Sequence, residues 1–340
     1  MPIDTKKYKQ ELTQLKGEYQ SKIILPKPIT FGTEIEFVNA NLNTVEDVVR
    51  NEVGPINTGD YKSWQVKTDD SVTKKQEIII GRHKYWGEEY IEKEIIKQGG
   101  EVVSRILQND EQSWDELSRV FLSCLKIENF GFNDKCAFHV HFGKNIFKNP
   151  KFIQNLFKAY TVFEDILLRT SYGATNRRRP DLVHHATLSS YFIYNRLKDN
   201  FNNEEKVEEF LKEYAQCREQ ALNLANYIYR FDAKKYTVEI RCTNHLESRF
   251  LMQNTIRFLA LFLLYCDSDE FDDELMDYYI KHSFEPKTLD EYEEENFEKA
   301  MLFGQIFIKD DLDRLYFMKQ YLKCYQESDI IENPQKKIIC

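Results

Sequence analysis

Apolar and polar positions change period near the middle of the chain. Between Ile29 and Gly143, short alternating segments are separated by turn-forming residues: ITFGTEIEF from Ile29, SWQVKTDDSVT from Ser63, QEIIIG from Gln76, GEVVSRIL from Gly100 and CAFHVHFG from Cys136. Alternation with period two predicts strands. Helical spacing over Tyr85–Lys97 and Trp114–Glu128 predicts two helices among them. After Pro150, apolar residues recur every three or four positions. That spacing predicts helices over 151–171, 204–229, 249–266, 269–282, 289–307 and 310–327. One strand, KKYTVEIRC at 234–242, interrupts this run. Strands first, helices later and one late strand returning predict an α+β fold with one sheet. Residues 1–28 read as a polar helical extension. The remainder, 29–340, reads as a single unit, with a helical insertion at about 150–232 and a helical tail at about 249–335.

Three of the strands share a peculiarity. Residues two apart lie on one face of a strand. Phe31, Thr33, Ile35 and Phe37 therefore share one face, and Glu34 and Glu36 the other. Phe138, Val140 and Phe142 oppose His139 and His141. Tyr236, Val238, Ile240 and Cys242 oppose Glu239 and Arg241. A solvated strand face usually carries Thr, Lys, Gln and mixed charge, and neighbouring like charges repel unless a cation lies between them. Paired carboxylates, paired imidazoles and a Glu/Arg pair become coherent if they line one metal-bearing concavity.

Composition narrows the classes. Of the 12 glycines among 340 residues, eleven lie between Gly17 and Gly173, which matches a turn-rich front and a helical back. No apolar run approaches the ~20 residues of a membrane span. The first twenty residues hold no apolar core of a signal peptide. Seven cysteines, an odd number, widely spread and never spaced as CxxC, argue for a reducing, cytoplasmic setting. A net charge of -9 gives no case for nucleic-acid binding.

Hard divalent cations take carboxylate oxygens, and Glu34, Glu36, Glu239 and Glu101 in GGEVVS would supply four such side chains. One imidazole suits Mg²⁺ or Mn²⁺, whereas two lean toward zinc, so a zinc hydrolase built on His139, His141 and Glu34 or Glu36 is the rival class. HExxH, clustered cysteines, phosphate-loop and dinucleotide fingerprints are all absent from the sequence.

The ordered series FGTEIEF, W-x-V-x-x-D-x-S-V, GGEVVS, AFHVHFG and TVEIR resembles the amidoligase family over roughly residues 29–260. The resemblance implies a glutamine synthetase-like fold, in which a catalytic antiparallel sheet is covered by helices. It further implies an ATP-dependent ligase that joins a carboxylate to an amine through an acyl phosphate. On this reading Glu34, Glu36, Glu101, His139 and Glu239 are ligands to Mg²⁺ or Mn²⁺ beneath the ATP phosphates, and Arg241 contacts phosphate. His141 faces the substrate, while Asp69 and Ser71 sit on the family's Asp-Gly-Ser turn that starts at Trp64. Asp70 replaces the usual glycine of that turn, and Arg105 stands where a proline often follows. TNHLESR lacks the usual glycine-threonine pair after the last strand. Arg178 and Arg179, from SYGATNRRRPD, are candidate phosphate contacts because the family supplies loop arginines in this region; Arg196 is a further one. The implied substrates are a small amino acid or peptide carboxylate and an amine. A phosphotransferase of the same superfamily is a further alternative.

Overall fold

The alternating segments form one eight-stranded antiparallel sheet. The computed structural model describes Leu12 and residues 28–57, 61–85, 88–172, 182–228, 236–246, 248–284 and 295–323. In chain order the strands are β1 (Thr30–Asn41), β2 (Gln65–Lys67), β3 (Lys74–Tyr85), β4 (Glu88–Val103), β5 (Leu107–Gln108), β6 (Phe138–Gly143), β7 (Leu222–Asn223) and β8 (Thr237–Ile240). Their order across the sheet is β2-β4-β1-β6-β8-β7, with β3 added to β4 and β5 to β1. The late strand β8 thus lies beside β6, joining the two halves of the sequence in one sheet.

The helices are α1 (Leu42–Val53), α2 (Glu111–Leu125), α3 (Phe152–Ser171), α4 (Leu182–His185), α5 (Ser190–Leu197), α6 (Glu204–Tyr214), α7 (Ala225–Ile228), α8 (Arg249–Cys266), α9 (Asp273–His282), α10 (Phe297–Phe307) and α11 (Asp311–Leu322). Side-chain caps set several starts: Asn41 accepts from Asn43 N, Asp110 from Ser113 N, and Asp310 from Leu312 and Asp313 N. Helix α1 has no counterpart among the expected elements. The apolar face of the sheet meets the helical layer, as the Phe31 and Trp114 rings 4.6 Å apart illustrate. Helix α3 is the hub of that layer, with all but two of its 20 residues buried.

One expected helix is not formed and a second is cut short. Tyr85–Lys97 is largely strand β4, paired residue by residue with β3 from Lys74↔Gln98 to Tyr85↔Glu88. Its Glu and Lys spacing suits a helix, but Ile91, Ile95, Ile96 and Tyr90 suit a strand, and an adjacent β-rich segment offers a partner. The expected helix over 204–229 ends at Tyr214, and Leu222–Asn223 turns into edge strand β7. Tertiary pairing decides there: Leu222 and Asn223 register against Ile240 and Glu239. Among the described residues, the other regular elements between β6 and β8 are helices, and those after β8 are helices ending at Leu322. Most of the 1–28 extension lies outside the described residues; Leu12 is buried. No helix among the described residues is long and apolar enough to cross a membrane.

Candidate metal and phosphate site

The register stacks the ionisable pairs into three adjoining rows on the sheet face opposite the helices. Gly32, His141, Glu239 and Asn223 form one row; Val103, Glu34 and His139 form the next; Lys67, Glu101 and Glu36 form the third. Glu34, Glu36, Glu101, His139, His141 and Glu239 are each at most 9% exposed. Five residues read from strand alternation, together with Glu101 from GGEVVS, are thereby gathered in one buried cluster.

A glycine pair makes room for one of them. Gly100 has φ +158°, and a Cβ there would come within 2.3 Å of Lys67 O; at Gly99 one would come within 2.6 Å of Val72 O. The two residues let β2 and the 69–73 turn press against β4, and Glu101 follows directly.

The carboxylates are held individually. Ala137 N donates to Glu36 Oε2 at 2.7 Å. Lys67 Nζ lies 3.1 Å from Glu101 Oε1. Asn223 Nδ2 donates to Glu239 Oε2 at 2.6 Å, and Arg241 Nη1 to Glu239 Oε1 at 2.7 Å. His139 Nδ1 stands 3.2 Å from Glu34 Oε2, and His141 Nε2 stands 3.0 Å from Glu34 Oε1. Thr237 Oγ1 is 3.3 Å from the other His141 nitrogen.

Charge is poorly balanced within this set. Four carboxylates face two fixed cations, Lys67 and Arg241. Burial, then the charge of Glu34, pushes the Glu101 carboxyl up to about 8. Burial also pushes Glu239 up, but His141, Arg241 and His139 together outweigh it and hold its carboxyl below the usual range. Burial works against the Arg241 cation, and Glu239, Glu34 and Glu36 more than offset it. Ligand atoms of Glu34, His139 and Glu239 lie within 4.8 Å of one another. A cation at ~2.0–2.6 Å from each donor needs donors no farther apart than about twice that. Oxygen-rich donors, the right spacing and surplus negative charge together fit a hard divalent cation.

Next to the cluster opens a cavity of about 170 Å³ whose lining includes Gly32, Glu34, His141, Thr237, Tyr61 and Tyr236. Arg105 also lines it. Its guanidinium is fixed by two 2.8 Å bonds to Glu116, which also accepts from Trp64 Nε1 at 2.5 Å. The arginine that departs from the expected proline is therefore tied to the tryptophan of the neighbouring motif.

Other candidates fall elsewhere. Asp69 and Ser71 close a turn after β2: Asp69 Oδ1 accepts from Ser71 N at 2.8 Å and also from Ser71 Oγ. Asp69 acts on the cluster through its charge, which adds to the upward push on Glu101. Arg196 pairs with Glu213 on the surface. Arg178 and Arg179 lie outside the described residues. Lys67 and Asn223 were not anticipated. Lys67 could have been found from the alternation of Gln65, Val66 and Lys67, whereas nothing in the sequence around Asn223 marks its edge strand.

A family model described as "putative amidoligase enzyme" matches residues 27–263, well over half of the chain. No curated protein matches the sequence at a significant level.

Proposed function

The chain belongs to the amidoligase family, and from that premise we propose that it is an ATP-dependent carboxylate–amine ligase. The observation that carries the reading is the buried Glu34–His139–Glu239 group, with Arg241 alongside, next to a cavity that Glu34 lines. The sheet is, on this proposal, a glutamine synthetase-like catalytic sheet working in the cytoplasm. Glu34, Glu36, Glu101, His139 and Glu239 would hold Mg²⁺ or Mn²⁺. Bound there, the metal supplies positive charge against ATP phosphates.

A carboxylate does not condense with an amine unaided in water. Its oxygen attacks the γ-phosphorus of ATP, the bond from that phosphorus to the β,γ-bridging oxygen breaks, and ADP leaves. The amine lone pair then attacks the acyl carbon of the acyl phosphate, the carbon–oxygen bond to phosphate breaks, and the amine gives up a proton. The products are an amide, ADP and inorganic phosphate. Little covalent work falls to the protein, so positioning and electrostatics dominate. Arg241, oriented by Glu239 and by the His185 carbonyl 3.2 Å from its Nε, would meet phosphate oxygens. His141, which lines the cavity, would face the reacting carboxylate. Asp69 and Ser71 in the turn after β2, and Arg178 and Arg179, are proposed as outer contacts to nucleotide. The substrates are a small amino acid or peptide carboxylate and an amine.

The test is a thermal-shift titration with Mg·ATP, followed by ATP turnover on mixtures of amino acids and peptides, with mass spectrometry for products lighter by one water. Stabilisation in the wild type, lost in Glu34→Gln and Glu239→Gln variants that remain folded, is the expected outcome. Tightly held zinc with no response to nucleotide would overturn the reading in favour of a hydrolase.

A further inference from the structure

Behind Arg241 and Glu239 lies a carboxylate that the proposed chemistry does not use. Glu164, in the middle of α3, is 1% exposed. Its Oε1 accepts the N–H of Ser189 at 2.6 Å and its Oε2 the N–H of Ser190 at 2.9 Å. Both amides lie at the start of α5, and the Ser190 hydroxyl also hydrogen-bonds the carboxylate. Burial pushes its carboxyl up to about 7, so the ionised form is costly where it sits.

What the two amides anchor runs directly to the site. Ser189 Oγ accepts from Tyr214 Oη at 2.7 Å and from Leu222 N at 3.3 Å. Two residues earlier, Thr187 N donates to Glu219 O and Thr187 O accepts from Ala221 N. Ala221 O in turn accepts the backbone N–H of Arg241 at 2.9 Å. The His185 carbonyl takes Arg241 Nε. Leu222 and Asn223 then register against Ile240 and Glu239, and the Asn223 amide fixes Glu239 Oε2. The orientations of Arg241 and Glu239 thus both pass through segment 185–190 and strand β7, and both of these are fastened to Glu164.

We infer that Glu164 is a positioning residue that sets Arg241 and Glu239 through Ser189, Ser190 and strand β7. A carboxylate offers an acceptor to each of two N–H groups. A glutamine of the same shape offers one and turns an amide donor against the other. The geometry of the segment therefore depends on an acidic side chain that core packing alone would not call for. The use of nucleotide as a probe rests on the ligase reading; the inference itself does not.

The experiment compares wild type, Glu164→Gln and Asn155→Ala at about pH 8, above the value near 7 of the Glu164 carboxyl. Asn155 donates from the same helix to Cys266 O at 2.9 Å and serves as the stability control. Two readouts are taken: the ring NMR shifts of His139 and His141 without ligand, and the affinity for Mn²⁺ and Mg·ATP. In Glu164→Gln both ring signals should move and affinity should fall about tenfold, equivalent to ~1.4 kcal/mol. Asn155→Ala should lose stability while keeping both. If Glu164→Gln does not fold, Ser189→Ala, which removes the Tyr214 and Leu222 bonds, should shift the same signals in a smaller degree. Unmoved histidine signals, or equal changes in the Asn155 control, overturn the inference. Moved signals in a protein that binds neither metal nor nucleotide would uphold it and overturn the ligase reading instead.

Discussion

The two faces of the central sheet are made by the same strands and obey opposite rules. On one face Phe31, Phe138, Val140 and Phe142 are at most 2% exposed and pack into the helical layer. On the other, Glu34, His139, His141 and Glu239 are nearly as buried but are packed among charges. The first arrangement is what apolar burial drives. The second is opposed by like-charge repulsion and desolvation, so it persists only because the first face holds the strands in register. Fold stability and site chemistry are separated by the strand period, one residue apart.

The largest break in that comparison comes from the apolar face. Phe138→Ala should remove about 3–5 kcal/mol, as deletion of a buried ring does, and denaturant unfolding measures it. Because Phe138 is flanked by Ala137 and His139, a loss near 1 kcal/mol would mean that the strand is held by its charged face instead.

An exception within the helical layer sharpens the contrast. Glu164 is a carboxyl placed where the apolar rule applies, with its folded value raised from 4.5 to about 7. Burial is the main cause; the amides of Ser189 and Ser190 and the Ser190 hydroxyl act against it, and Asp165 adds to it. Tyr160 and Tyr214 also feel its charge. Between these two pH values the folded protein binds a proton that the unfolded chain does not. Its contribution is therefore fully present below about pH 4.5 and is lost as pH rises through about 7, by roughly 3 kcal/mol in all. Thermal unfolding of wild type against Glu164→Gln from acid to neutral pH should show the wild type losing ground as pH rises. A constant difference would place the Glu164 carboxyl at its ordinary value.

How much of this was legible from sequence follows from the same contrast. Period-two alternation identified Glu34, Glu36, His139, His141, Glu239 and Arg241 as face-sharing pairs, because one residue in two is a local property. Which strands lie side by side is not local, and the register that sets His141 against Glu239 and Glu34 against His139 is read from the sheet. Strand β4 was misread because its Glu and Lys spacing satisfies both periods until β3 pairs with it. Asn223 was missed because a two-residue edge strand carries no pattern of its own. Glu164 was missed because a mid-helix glutamate normally faces water, and only tertiary packing buries this one.

The smallest expected effect on stability is also the most discriminating. Glu34 lies between His139, His141 and Glu239 and adds to the upward push on Glu101. Glu34→Gln keeps the volume and hydrogen-bonding oxygen while removing one negative charge from a crowded set. Without metal, stability should change by less than about 1 kcal/mol, with relief of repulsion offsetting the lost contacts to the two imidazoles. On the apolar face no side chain of similar burial can be changed so cheaply. With Mn²⁺ at about 100 times its dissociation constant, the wild type should gain ~2.7 kcal/mol and the variant far less. Unfolding curves with and without metal measure both quantities. A large loss in the metal-free variant would show that Glu34 holds the sheet together; a full metal response would show that the cation does not depend on it. A small first change with a lost second one is the result that assigns the charged face to binding and the apolar face to folding.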